Sequence, residues 1–232
     1  MLVEQYRVWS SYPEDLTRQV EIVIGDDSSP ERIEDVPRPT GLPPLTLFRL
    51  ADVEDAQTPP WRQDAIRNRA VDLARGPWLF LSDMDHVLPA ESLRAVLALT
   101  AGEDRVYGFQ RLDAPHLMPK RDAQGNLHPH PNTYAMTKAR YLALGGYDEE
   151  FCGTYGTDGY YRRKVLTDAP YVHLEKVHIV RYSRDVIADA STPTREARDQ
   201  ARQPGVVQRR LVEKAEQKIA PITLSIPWER VA

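Results

Sequence analysis

The sequence predicts an α/β fold built on a largely parallel sheet, and three observations carry that reading. Strand-like and helix-like stretches alternate through the first half, the pattern of successive βα units. The run Trp78-Leu79-Phe80-Leu81 is apolar without a break, as a strand covered on both faces must be. Two of the strands finish in paired carboxylates, and open α/β sheets bind ligands at the carboxyl ends of their strands.

Each element has its own signal. The first residues, MLVEQYRVWSSYP, read as a helix that can lay Trp9 and Tyr12 on a sheet. Val20 to Ile24 is rich in β-branched residues and closes in the turn formers Gly25-Asp26-Asp27-Ser28-Ser29-Pro30. LTLFRL, residues 45–50, is a second strand after a proline-rich connection. Over 61–75, Ala65, Ile66, Ala70, Leu73 and Ala74 fall near one helical face, and Gly76-Pro77 stops the helix. The strand at 78–81 precedes a helix over 89–100 with a proline near its start. A strand at 105–112 leads into residues 113–131, whose four prolines and few apolar residues predict a long loop. A short strand at 133–137, a helix at 138–144 ended by Gly145-Gly146 and a helix from 157 to 166 follow. Residues 171–182 hold one or two strands, and 194–218 are mostly helix with a break at Pro204-Gly205.

Composition bounds the function. With 41% hydrophobic and 28% charged residues, the chain of 232 is neither disordered nor too small to bury a core. A formal charge of -4 excludes a blanket of positive charge. Residues 1–60 hold 12 acidic groups against 5 arginines, whereas 195–218 hold 7 basic groups against 4 acidic ones. That basic helix reads as a solvated face, or as a surface for an anionic partner. The single Cys152 excludes an intrachain disulfide and reads as a small packing residue. No run approaches the ~18 apolar residues of a membrane span, and the first residues lack a signal-peptide pattern. The expected location is cytoplasmic.

Chemistry concentrates at the two acidic strand ends. Buried strands that finish in Asp26-Asp27 and in Asp83-Met84-Asp85 need a compensating partner, because an unpaired desolvated charge is very costly. A divalent cation is the natural partner for Asp83 and Asp85, since hard oxygen ligands suit magnesium or manganese. Capping the helix near Pro89 would use one of the two carboxylates and hardly both.

These segments resemble a known family. EIVIGDDSSP resembles the Val-Asp-Asp-Gly-Ser turn of family 2 glycosyltransferases of the GT-A fold. Ile66-Arg67-Asn68 resembles their Ala-Arg-Asn helix, and WLFLSDMDHVLP their strand with the Asp-x-Asp metal motif. Gly145-Gly146-Tyr147-Asp148-Glu149-Glu150-Phe151 resembles the segment that shapes their acceptor side. Thr157-Asp158, followed by Tyr160-Tyr161-Arg162-Arg163, stands where they carry Glu-Asp and a helix ending in Arg. The five patterns occur in the family's order over residues 20–165.

The resemblance implies a single GT-A, Rossmann-like domain over 1–232. Residues 1–112 would form its nucleotide-sugar-binding half and 113–193 its acceptor and catalytic half, with the basic helical segment at 194–218. It implies inverting, metal-dependent transfer of a sugar from a nucleoside diphosphate sugar, a UDP-sugar first, to an acceptor hydroxyl. Asp83 and Asp85 would hold Mn2+ or Mg2+, with His178 as a third ligand and His86 or His173 as alternatives to it. Asp26, Asp27, Arg67 and Asp83 would contact the nucleotide sugar. Asp158 would be the general base, with Gly146, Tyr147, Asp148 and Thr157 on the acceptor side. Thr157 departs from the family's usual Glu. His128 and His130 read as an acceptor or phosphate contact and not as a metal site, because nothing nearby in sequence completes a ligand set.

The motifs do not name the acceptor, and the resemblance implies by default a hydroxyl on a glycan, a lipid or a small molecule. The alternatives are the same chemistry on a hydroxymethylated base in DNA, nucleotidyl transfer, or a non-catalytic nucleotide-sugar-binding domain. Nucleotidyl transfer would want a basic, glycine-rich loop after the first strand, where this chain has an acidic one.

One expectation comes from order. Family members begin with an apolar strand and a Pro-aromatic pair, which this chain lacks ahead of its first helix. Residues 221–230, PITLSIPWER, resemble that strand and its turn. A circular permutation is therefore expected, with 219–232 returning to the central sheet beside 20–24. Pro227 and Trp228 would then line the nucleoside pocket next to Asp26 and Asp27.

Overall fold

The computed structural model describes residues 1–27, 29, 31–51, 62–99, 104–153, 158–188, 208, 209, 212, 220, 221, 223 and 225–232. Thr157 and nearly all of 194–218 lie outside the described residues. Helix α1 (Leu2–Ser10) and the short α2 (Glu14–Thr17) lead into strand β1 (Ile22–Asp26), then β2 (Leu45–Leu50). Helix α3 (Gln63–Leu73) follows, then β3 (Trp78–Leu81), β4 (His86–Val87) and α4 (Ala90–Leu99). The second half holds β5 (Val106–Asp113), β6 (Met118–Pro119), β7 (Pro129–Thr137), α5 (Lys138–Ala143), α6 (Asp158–Asp168), β8 (Tyr171–Arg181) and β9 (Trp228–Arg230).

The α/β class is as expected, but the pairing is mixed. One sheet has the order β1-β2-β9 and the other β3-β7-β5-β8-β4, with β6 on the edge of β5. Pairs β1/β2 and β5/β8 are parallel; β7 runs antiparallel to both β3 and β5. The expectation of a mostly parallel sheet fails because β7 inserts between β3 and β5. The predicted long loop at 113–131 is also largely structured. It folds back as a hairpin through β6, held by Asp122, whose carboxylate accepts from the backbone N–H groups of Gln124 and Asn126, both at 2.9 Å. β7 begins as early as Pro129.

Apolar faces explain the layers. Tyr12 and Leu16, beside α1 and in α2, pack with Leu93 and Val96 of α4 against Phe109, Ile179 and Val180. On the other face, Tyr141 of α5 and Tyr161 and Val165 of α6 meet Leu79, Leu81, Val106, Tyr134 and Met136. Helix α3 turns Ala65, Ile66 and Ala70 onto Phe48 and Leu50 of β2, with Cys152 in the same cluster. Each buried large side chain of this kind contributes about 1.5–3 kcal/mol. Burial pushes the Cys152 thiol up to about 12, consistent with a packing role.

The expected permutation is overturned by the position of the C-terminal strand. Residues 221, 223 and 225–227 form no strand, and β9 pairs antiparallel with β2 at the sheet edge, Leu50 opposite Trp228 and Phe48 opposite Arg230. It lies on the far side of β2 from β1, not in a central slot. Side-chain contacts account for this placement. The Trp228 indole meets the Phe48 ring edge-on at 6.2 Å and carries the Arg69 guanidinium 4.9 Å above it. Pro227 and Trp228 therefore stand one strand away from Asp26 and Asp27.

Candidate active site

The site forms where β1 and β3 end and α3 crosses between them. Asp26 and Asp27 each meet an arginine. Asp26 Oδ2 accepts from Arg49 Nη1 at 2.6 Å, and its Oδ1 accepts from the Ser29 N–H at 3.0 Å, which shapes the turn. Asp27 accepts from the Arg62 Nε and from the Arg62 backbone N–H, each at 2.6 Å, at the start of α3. An acidic group there also suits the positive end of the helix dipole.

Arg67 and Asn68, successive on α3, explain the Arg-Asn pair. Arg67 is buried and donates to Asp83 Oδ1, to the Tyr147 hydroxyl and, at 3.3 Å, to the Asn132 carbonyl. Burial opposes its charge, but Tyr147, Asp83 and Asp158 more than compensate and keep it protonated. Asn68 brackets the Tyr147 backbone: its amide donates to the Tyr147 carbonyl, and its oxygen accepts from the Tyr147 N–H, both at 3.0 Å. The expected acceptor-side segment is thereby fixed against α3. Gly146 has φ +62, and a Cβ there would stand 2.8 Å from Asn68 Oδ1. Asp148 is buried and caps the 3-10 turn Glu149–Phe151 through the Glu150 N–H.

Asp83 to His86 form a turn closed by a hydrogen bond from the His86 N–H to the Asp83 carbonyl, 3.1 Å. It brings the first and fourth residues together and leaves Asp85 pointing elsewhere. Asp85 Oδ1 lies 2.7 Å from His86 Nδ1, and its Oδ2 accepts from Arg181 Nε at 3.3 Å. Burial alone would raise the Asp85 carboxyl, but His86 and Arg181 hold it below the usual range. Asp83 Oδ2 instead faces His130 Nε2 at 4.0 Å and accepts from the Asn132 amide at 3.4 Å.

Among the described residues, Asp83, His86 and His130 are the group whose ligand atoms converge as a cation would need, all within 4.8 Å of one another. The set fits a divalent cation by its own chemistry. His86 is 3% exposed, and both of its ring nitrogens are buried without a hydrogen-bond partner among the described residues. Burial, and then the nearby His86, push His130 down to about 2, so its imidazole is neutral as a ligand must be. His178 is not in the group. It sits on β8 opposite Gln110, with its N–H 3.3 Å from the Ser92 hydroxyl. His173 lies further along the same strand, opposite Gly108.

Asp158 opens α6 and lies within this polar cluster, with Gln63 Nε2 3.5 Å from its Oδ1. Burial raises its carboxyl above the usual range; Arg67 and the Asn132 and Gln63 amides pull the other way, and Asp83 adds to the rise.

Sequence reasoning passed over Arg49, Arg62 and Asn132, and it read His130 as an acceptor or phosphate contact and not as a metal ligand, whereas its ring nitrogen converges with Asp83 and His86. A signal for Asn132 and His130 exists. In HPHPNTYA, His130 and Asn132 alternate at period two on one buried face of β7, and polar residues on a buried strand face are those turned toward a site.

No protein-family model matches the chain, and no curated protein sequence does. The structure is similar to the crystal structure of S. aureus TarS 1–349, with TM-score 0.52, 15% identity and coverage of 85% of this chain and 66% of that one. It is similar also to TarS 1–349 in complex with UDP, with TM-score 0.53, 14% identity and coverage of 91% and 69%. The fold is GT-A-like. The chain spans about two thirds of the TarS fragment, and the likeness shows the architecture alone. Among the described residues, no helix is long and apolar enough to cross a membrane.

Proposed function

We propose that the chain is a cation-dependent glycosyltransferase that moves a sugar from a nucleoside diphosphate sugar to an acceptor hydroxyl with inversion. The observation that carries this reading is the meeting of Asp83, Arg67 and Asp158 on a GT-A-like fold. A cation-binding carboxylate, a buried guanidinium and a carboxyl raised by burial share one polar cluster. Perturbed carboxyls in such surroundings are the mark of general bases.

In this reading Asp158 accepts the proton of the acceptor hydroxyl as that oxygen bonds to the anomeric carbon. The bond from that carbon to the diphosphate oxygen breaks, and the diphosphate leaves with the electron pair. Arg67 lies where it can offset the charge on the leaving group while orienting Asp83. A divalent cation, held through Asp83, would neutralise the same diphosphate. Asp26 holds the turn through Ser29 and Arg49, and Asp27 sets the start of α3; both border the place for the nucleoside. Tyr147 and Gly146, pinned by Asn68, form one wall of the acceptor side. The UDP held by the TarS fragment supports uridine as the first nucleoside to try.

The test is turnover. Purified protein, a UDP-sugar panel and Mn2+ or Mg2+ should release UDP with a hydroxyl acceptor, and chelation should stop release. Asp158→Asn should keep donor binding and lose turnover. Donor binding lost with turnover little changed would put Asp158 in another role.

A further inference from the structure

We infer that the cation is bound by Asp83 together with the imidazoles of His86 and His130, with Asp85 behind His86. This donor set selects a first-row transition cation over Mg2+ or Ca2+. The inference deepens the reading above and rests on it only for the use of the cation, not for its binding.

Three features of the geometry lead there. The 83–86 turn presents Asp83 and His86 together, while both Asp85 oxygens are engaged, by His86 Nδ1 at 2.7 Å and Arg181 Nε at 3.3 Å. A sequence-adjacent Asp pair is thus split, one carboxylate facing the cluster and one behind it. His86 then has the form of a ligand. Both of its ring nitrogens are buried without a hydrogen-bond partner among the described residues, and Nδ1 stands 2.7 Å from Asp85 Oδ1 as an ion-pair contact. A carboxylate behind a histidine orients the ring and raises its basicity toward a metal. Finally, His130 turns its Nε2 toward Asp83 Oδ2, at 4.0 Å, while its Nδ1 lies 3.0 Å from the Thr133 hydroxyl and accepts from the Asn132 backbone N–H at 3.3 Å. The two imidazole rings stand 4.0 Å apart by centroid.

Two imidazoles serving only as core packing would leave a costly orphan nitrogen at His86. One carboxylate with two imidazoles instead matches the preferences of Mn2+, Fe2+, Co2+ or Zn2+. Mg2+ favours carboxylate, phosphate and water oxygens.

The experiment uses the whole chain with metal alone, without nucleotide. Mn2+ is titrated and free ion followed by electron paramagnetic resonance, with Mg2+ as competitor; pulsed measurements on the bound ion then look for nitrogen couplings. One tightly bound Mn2+ is expected, with imidazole nitrogen couplings and little displacement by a hundredfold excess of Mg2+. His86→Gln, His130→Gln and Asp83→Asn should each weaken binding at least about tenfold, and Asp85→Asn by roughly tenfold as a residue behind a ligand. The nitrogen couplings are read on the unsubstituted protein, so a variant that fails to fold does not decide the matter. Absence of nitrogen coupling would overturn the inference, as would equal competition by Mg2+. So would loss of binding in Asp85→Asn with His86→Gln and His130→Gln unchanged. A parallel UDP titration separates the two readings: Mn2+ bound through nitrogen with no UDP binding would sink the donor proposal and leave this one standing.

Discussion

Asp158 carries the sharpest residue-scale prediction because burial raises its carboxyl. A base must be deprotonated to act, so turnover should fall as pH drops through a value above the ordinary carboxylate range. Asp158→Asn should lower turnover by roughly 10²–10⁴-fold. The same shift has a stability sign. A carboxyl raised in the folded state stabilises the fold below its unfolded pKa and loses that contribution as pH rises through the folded one. Asp158→Asn should therefore raise Tm at neutral pH, with the gain disappearing below about pH 4, the unfolded Asp pKa. A variant less stable than the parent at pH 7 would contradict this sign. Arg67 behaves in the opposite way. Replacing it with Met leaves Asp83 and the Tyr147 hydroxyl without their buried cation, which should cost about 3–5 kcal/mol by chemical denaturation.

At the scale of elements, the strand β1 and helix α3 approach so closely that Gly25 has no room for a side chain. A Cβ there would collide with the Phe48 ring and lie 2.6 Å from Ile66 Cγ2. Gly25→Ala should thus destabilise by about 1–3 kcal/mol, and an unchanged denaturation midpoint would show that β2 can give way. The edge strand β9 makes a different prediction. Removing residues 227–232 takes away Trp228 from Phe48 and Arg69 but leaves the sheet that contains β3 and β7 paired, so the shortened chain should fold with a lower Tm and still bind Mn2+. Loss of Mn2+ binding in that folded chain would contradict this division. These contrasts show which parts were legible in the sequence. Val20–Ile24 declares a strand through its β-branched residues, and Trp78–Leu81 through an unbroken apolar run. Arg67 and Asp83 could be read as candidate site residues because a strand-end carboxylate and a nearby arginine are local signals, whereas the turn that sends Asp85 behind His86 was not legible. His130 was hidden, since its strand is polar and proline-rich, and its partners Asp83 and His86 are remote in sequence. The edge position of β9 was hidden for a similar reason: a strand's own residues do not record which neighbour it pairs with.

The molecule as a whole is acidic, with a formal charge of -4, and its two sheets are joined by polar links. Glu21 at the start of β1 accepts from the backbone N–H groups of Arg75 and Gly76, at 2.6 and 2.9 Å, just ahead of β3. Arg67 joins the other ends through Asp83. Such a surface suits an acceptor that is not a polyanion. Turnover should change by less than about threefold between about 50 and about 200 mM salt, whereas a DNA acceptor held by several phosphate contacts would lose affinity by roughly 10³–10⁵. Donor recognition is read most directly by a thermal-shift titration. With a UDP-sugar at about 100 times its Kd and Mn2+ present, the folded state should gain about 2.7 kcal/mol. That corresponds to a Tm rise of roughly 5–10 °C, small without the cation and absent in Asp83→Asn. No rise with any nucleoside diphosphate sugar, or an equal rise in Asp83→Asn, would contradict the account.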